Sequence, residues 1–198
     1  MIQPLRDLAE VRAGHPFRGS VPVVNDGNAQ VIQMRDIAHD GSVSWGTLAR
    51  TRIAPHNTFR GPDWLQDGDV LFAARGGRNY AVCLSRVPPA TVCAQYFFVL
   101  RLRTDRVRPD FLAWHINRAP SQRYFTRLAE GSDQLSIRRA VLEDLPVVVP
   151  DLSHQRQLVE LADAAARERH TFDALARNRE RELDALAHRL LQTAPRRT

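Results

Sequence analysis

Residues 145–158 read LPVVVPDLSHQRQL, and this join decides the fold. A short apolar strand, Val147 to Val149, stops at Pro150. Proline has no N–H to give a ladder, so it ends the strand and permits a sharp change of direction. Ser153 then suits a helix N-cap ahead of HQRQLVEL. Beyond it, Leu158, Leu161, Ala162, Ala165, Phe172, Leu175, Ala176, Leu183, Leu186, Ala187 and Leu190 recur in steps of three and four. The stripe breaks at RERH (167–170) and shifts phase between Leu175 and Leu183, which predicts a narrow coiled-coil-type seam with a stutter. Ser153 to Gln192 is 40 positions, or about 60 Å of helix. A helix of that length needs something to bury its stripe. A second chain meeting Leu158, Leu161, Ala165, Phe172, Leu175, Leu183, Leu186 and Leu190 is one answer. The other is that ELADAAAR (160–167) folds back onto its own head.

Working outward from the join, the chain before it reads mostly as strands. LRDLAEVRAG (5–14) is a short helix or a helix-to-strand entry, with Gly14 as its stop. GHPFRGSVPVVNDGN is loop-like, and QVIQMRDI alternates as a strand up to the turn HDGS. In WLQDGDVLFAAR, Asp67-Gly68 marks a turn, and Val70, Phe72 and Ala74 share one strand face. YAVCLS and TVCAQYFFVLRLR predict two more strands, the second apolar on both faces near Phe97–Leu100 and so central in its sheet. RPDFLAWHINRAPSQRYFTRLAEG changes to a helical period, broken near Pro120, and SDQLSIRRAVLEDL adds a loop and a helical turn. The expectation is an α+β fold. A mixed, twisted β-sheet domain with a few helices fills 1–150, and one long coiled-coil-type helix occupies 151–198.

Charge points to an anionic partner. The formal net charge is +6, and all 28 basic residues are arginine. The head holds 19 Arg against 14 acids, whereas residues 151–198 hold 9 against 8. A planar guanidinium fork suits phosphates and guanine edges, so nucleic acid is the expected partner class. Cys83 and Cys93 sit in apolar runs without zinc spacing and read as buried reduced thiols, which fits a cytoplasmic protein. The N-terminal stretch has no signal-peptide core, and no apolar run approaches membrane-spanning length.

Catalytic motifs are missing: no P-loop, no dinucleotide fingerprint, no G-x-S-x-G elbow, no H-E-x-x-H. The Pro-Asp pairs at 62–63, 109–110 and 150–151 lack the lysine of a nuclease cluster, and the seven histidines are scattered. The expectation is no enzyme, no metal and no cofactor. Binding candidates lie in loops. In ARGGRNYA (74–81), Arg75 and Arg78 flank two glycines that allow close backbone approach, and Asn79 has the donor–acceptor pair for adenine. A tight strand connection with solvated arginines is the equal alternative. In EGSDQLSIRR (130–139), Ser132, Gln134, Ser136, Arg138 and Arg139 suit phosphate contact, or a capped helix start. Arg18 in GHPFRG and Arg35 in QMRD add to the set, and RTRIAPHNTFR (50–60) is a basic loop or a strand edge.

Several landmarks recur in one order: LRDLAEVRAG, VIQMRDI, LQDGDVLFAARGG, VRPDFLAWHIN, AEGSDQLSIRRAVLEDLPVVVP and LSHQRQLVELADAA. Gly68-Asp69 precedes an apolar strand; Gly131-Ser132 leads to Ile137, Leu142 and Leu145; Pro150 is followed by Gln155 at the start of the long helix. This order resembles the target recognition domain and spacer helix of the DNA-specificity (S) subunit of type I restriction-modification systems. The resemblance covers nearly the whole chain. It implies a non-catalytic subunit that reads one half-site of double-stranded DNA, while a methyltransferase (modification) subunit and a restriction subunit do the chemistry. In that family two heads and two antiparallel helices share one chain. With one head and one helix, this sequence resembles a half-size form, expected to act as a homodimer or with a second half-subunit. Two helices of about 60 Å would hold two heads roughly one to two turns of B-DNA apart. The competing expectation is an assembly scaffold of a defence complex that has lost DNA reading; salt-sensitive, sequence-selective binding separates the two.

Overall fold

A computed structural model describes residues 1–38, 40–53, 62–76, 78–129 and 136–193, the side chains of 190, 192 and 193 excepted. In chain order the elements are β1 (Ile2–Pro4), β2 (Ala9–Ala13), β3 (Ala29–Ile32), β4 (Ala49–Thr51), β5 (Val70–Ala73), β6 (Ala81–Cys83), β7 (Thr91–Cys93), β8 (Phe97–Leu102), α1 (Pro109–Asn117), α2 (Ala119–Leu128), α3 (Arg139–Glu143), β9 (Pro146–Val148) and α4 (Leu152–Thr193). The fold is α+β. The chain divides into two compact units, Met1–Val159 and Glu160–Thr198.

In the first unit the strands fall into three sheets. An antiparallel sheet runs β2-β8-β5-β6, a second runs β4-β3-β7 with β3 and β7 parallel, and β1 pairs with β9. β8 is interior, as its two-sided apolar sequence requires. Both faces of the four-stranded sheet are covered. Val70, Phe72 and Leu100 turn toward Phe111, Leu112, Ile116 and Phe125 of α1 and α2. Leu71, Ala73, Phe97 and Val99 turn toward Ile32, Leu48, Leu65 and Leu84. The period of two in VLFA thus sorts side chains between two cores.

The run 91–103 is not one strand, contrary to expectation. Phe97 N–H returns to Ala94 O at 3.1 Å and closes a turn, so β7 and β8 enter different sheets. The turn holds Gln95 and Tyr96, with no glycine, proline or asparagine to announce it. QVIQMRDI is likewise divided: β3 ends at Ile32, and Met34–Asp36 form a 3-10 turn. Gln33 and Asp36 close that turn as a reciprocal capping box.

The Gly-Asp landmark has a physical basis. Gly68 sits at φ 85°, a region costly for residues with a Cβ. The turn it permits carries Asp69 inward, where its buried carboxylate accepts Gln66 N–H at 3.0 Å and two bonds from Arg101 of β8, at 2.7 and 2.6 Å. The two-point fork is the strong geometry for such a pair.

At the opening join, Asp151 and not Ser153 caps α4. Its carboxylate accepts His154 N–H at 3.0 Å and the Ser153 hydroxyl at 2.7 Å. The backbone bond from His154, first among these contacts, holds the Asp151 carboxyl well below the usual carboxylate range. One turn on, Gln155 is fully buried. Its Oε1 accepts Arg108 N–H at 2.8 Å, and its Nε2 donates to Arg106 O and Pro150 O, each at 2.8 Å. Leu158 and Val159 pack on the same core as α1 and α2. The first two turns of α4 therefore belong to the head.

Two predictions follow from these buried polar groups. Gln155→Leu leaves an orphaned N–H and two orphaned carbonyls, and should lower unfolding stability by about 3 kcal/mol, read as a fall in the urea midpoint of the full chain. His115 is half-buried; its Nε2 accepts Val148 N–H at 3.3 Å, and its Nδ1 lies 3.3 Å from Ser121 Oγ, which spends its own proton on His115 O. That environment suits the neutral ring, and burial lowers its pKa. The unfolded chain takes up the proton first, near pH ~6.5. The ring's contribution is thus full above that pH and is lost as pH falls toward the lower folded value. Urea midpoints should decline from pH 7.5 to 5.5, and decline less in His115→Gln.

Candidate nucleic-acid interface

β5 ends at Ala73, and the loop to β6 is fastened on three sides. Ala74 N–H donates to Tyr96 O at 2.9 Å, so the β7–β8 turn lies beside it. Ile137 N–H donates to Ala74 O at 2.9 Å, and Arg75 forms an antiparallel bridge with Ser136. Gly76, at φ 123°, faces Met34: a carbon added there would sit 3.6 Å from Met34 Cε. The Tyr80 hydroxyl lies 3.9 Å from the Met34 sulfur. Four stretches distant in sequence (33–36, 74–80, 95–96 and 136–139) are thereby brought together.

The cluster is basic. Arg75 and Arg78 are exposed, and neither has an ion-pair partner among the described residues. Arg35 is exposed on the 3-10 turn, with its Nε 4.0 Å from buried Asp36. Arg138 is exposed at the entry of α3. Arg139 pairs with Glu143 one turn along, at 2.7 Å. Among the described carboxylates here, Asp36 is buried in its capping box and Glu143 is engaged. Exposed guanidinium forks on a fastened loop can grip phosphates or guanine edges without ordering a mobile segment first.

Asn79 behaves differently from its arginine neighbours. Its Nδ2 donates to Ala73 O at 2.9 Å, and Ala73 N–H donates to Tyr80 O at 2.8 Å, so this amide shapes the loop. Bidentate contact with an adenine would require it to release Ala73. Tyr80 is half-buried, and burial pushes its phenol up. Ser136 is half-buried at the bridge, while Ser132 and Gln134 lie outside the described residues. Arg18 is exposed in the 14–28 loop, whose Phe17 and Val21 pack on the core of the three-stranded sheet; among the described residues no hydrogen bond or ion pair joins it to the cluster. In the basic stretch from 50, Arg50 donates to Gly27 O and Arg52 pairs with Asp26, whereas 54–60 lie outside the described residues. Tyr96, 42% exposed beside Ala74, belongs to the cluster although no motif marked it. Cys93 is buried and Cys83 half-buried, with thiols pushed up by burial to about 12 and about 11, so neither supplies a ready thiolate.

The second unit is the remainder of α4, part of a continuous helix of 42 residues. Leu161, Phe172, Leu175, Leu183 and Leu186 are exposed by half or more, and Ala165 is half-buried. Leu158 is half-buried and packs against the head's core, and the Leu190 side chain is not described. No helix among the described residues is long and apolar enough to cross a membrane.

Three solved structures share this architecture across 98% of the chain. One is the type I restriction-modification S subunit from M. genitalium, with TM-score 0.57, 15% identity and 46% of that chain covered. Another is a chain from a study of complex assembly and conformational transition in the type I R-M system, with TM-score 0.67, 18% identity and 45% covered. The third is the HsdS subunit from Thermoanaerobacter tengcongensis, with TM-score 0.61, 20% identity and 44% covered. The chain has the S-subunit fold. It spans less than half the length of each of these proteins. No protein-family model and no curated protein matches the sequence. In this S-subunit fold the fastened β5–β6 loop and the exposed stripe of α4 lie in different compact units.

Proposed function

We propose that this chain is a non-catalytic DNA-specificity subunit of a type I restriction-modification complex. The observation that carries the reading is the basic loop cluster on an S-subunit fold. Arg35, Arg75, Arg78, Arg138 and Arg139, with Ser136 beside them, contact one half-site of double-stranded DNA. Arg75 and Arg78, exposed and without ion-pair partners among the described residues, reach into the groove; Asn79 holds the loop in shape. Arg18, Ser132 and Gln134 add phosphate contacts at the margin. The work divides near the expected bounds of head (1–150) and helix (151–198), with the first two turns of α4 serving the head as its anchor. The stripe Leu158, Leu161, Ala165, Phe172, Leu175, Leu183, Leu186 and Leu190 pairs with a second copy or a second half-subunit. Partner methyltransferase and restriction subunits carry the catalysis, in the cytoplasm, and this chain needs no cofactor or metal.

Several observations support the reading. Arginines exposed on an immobilised loop suit groove and phosphate contact. A helix with large apolar residues exposed along its length requires a cover. Arg75→Ala with Arg78→Ala should weaken duplex binding by the full chain, at roughly 1–3 kcal/mol for a base-contacting arginine. Each phosphate contact removed should also flatten the salt dependence of log K by about 0.9. Fluorescence anisotropy across a salt series measures both. Unchanged affinity and slope in the double variant would place the DNA contact elsewhere, or remove it.

A further inference from the structure

A second surface of the head is unexplained by DNA reading. The sequence APSQRYFTRL of α2 turns Ser121 and Phe125 inward. It leaves Pro120, Arg123, Tyr124, Arg127 and Leu128 along an open groove of about 520 Å³, with Pro146 of β9 on the other side. The floor continues onto the β1–β9 ribbon. Pro146 and Val148 alternate with Val147, which is buried in the core, so both lie on the outer face. Their register partners Pro4 and Ile2 lie on that same face. Ile2 is 68% exposed, Val148 48% and Leu128 44%. The groove and this ribbon face share Pro146, so apolar surface extends beyond the groove itself.

The edge of the groove is cationic. Arg123 and Arg127 stand one turn apart and are exposed; α2 carries no Asp or Glu, and neither arginine has an ion-pair partner among the described residues. Elsewhere in the head Arg6, Arg12, Arg101, Arg103 and Arg139 all meet carboxylates. The Tyr124 hydroxyl is spent on Val141 O at 3.0 Å, so the ring presents its apolar body. A proline-, leucine- and valine-lined floor gives nothing to a phosphate backbone, whose recognition is polar throughout. It suits an aliphatic or aromatic anchor. Two guanidinium forks at i and i+4 suit two carboxylates at the same spacing.

We propose that this groove docks an acidic amphipathic helix of a partner protein, one that presents paired carboxylates one turn apart beside a large apolar anchor. The groove shares no residue with the basic loop cluster, so the inference stands or falls apart from DNA reading. It is tested by amide chemical-shift mapping of the isotope-labelled full chain against three probes. These are a short synthetic helix of Glu and Leu with Glu at i and i+4, the same peptide with Gln for Glu, and a short DNA duplex. The Glu peptide should bind saturably, with shifts centred on 2–4, 119–128 and 146–148. Arg123→Ala with Arg127→Ala should weaken it by roughly tenfold, as should Gln in the peptide, and Leu128→Ser should weaken both peptides. Absence of saturable binding, equal binding of the Gln peptide, or displacement of the peptide by the duplex would each overturn the proposal.

Discussion

The head and the start of its helix are tied together by one buried amide. Gln155 is the polar residue best sealed within α4, and all three of its hydrogen bonds go to main chain: Arg106 O, Arg108 N–H and Pro150 O. A glutamate could not donate to the two carbonyls, and an apolar residue would leave three buried main-chain groups without partners. Asp151 caps the first turn, and Leu158 and Val159 add apolar contact. A sharp strand-to-helix join thus becomes a fixed one over residues 146–159.

A second buried polar group organises the sheet. Asp69 reaches Arg101 across the β5–β8 pair because Gly68 turns the chain at a positive φ. The four-stranded sheet can then carry apolar side chains on both faces, with a core on each. One consequence is functional. The segment after β5 is drawn against Tyr96 and Ser136 by main-chain bonds, and Asn79 ties back to Ala73 O, so the residues that flank Arg75 and Arg78 are held by the fold. Pre-set loops bind without first losing conformational entropy, which would serve the DNA reading proposed for this domain.

Much of this was legible in the sequence. The periods of two and of three to four placed most strands and all the main helices, and Pro120 announced the break between α1 and α2. Two-sided apolarity placed Phe97–Leu100 at the interior of its sheet. Three things were hidden. The turn at Gln95-Tyr96 carries no turn-forming residue, so β7 and β8 read as one strand. Asp151 outcompetes Ser153 for the cap because its carboxylate reaches the His154 N–H that an N-cap at 151 must satisfy. The parallel pairing of β3 with β7 joins residues about 60 apart, and no local pattern encodes such a partner. The candidate cluster was visible in the sequence only as separate residues: Arg35, Arg75 and Ser136 each stood out as polar loop residues, but the bridge that unites two of them is a property of register. Asn79 shows the limit from the other side, since its side chain has the chemistry of a base reader and is held by Ala73 O.

The proposed role rests on a basic loop cluster in one compact unit and on an exposed apolar stripe of the long helix in the other. In that proposal one chain supplies one reading head and one pairing helix. Selection of full-length chain on a pool of randomised DNA duplexes tests this most directly, because protein two-fold symmetry is mirrored in the site. Pairing with a second copy predicts enrichment of an inverted repeat, two identical half-sites separated by a spacer of fixed length. Enrichment of a single unrepeated motif would rule out pairing with a second copy, and enrichment of no motif at all would overturn DNA reading by this head.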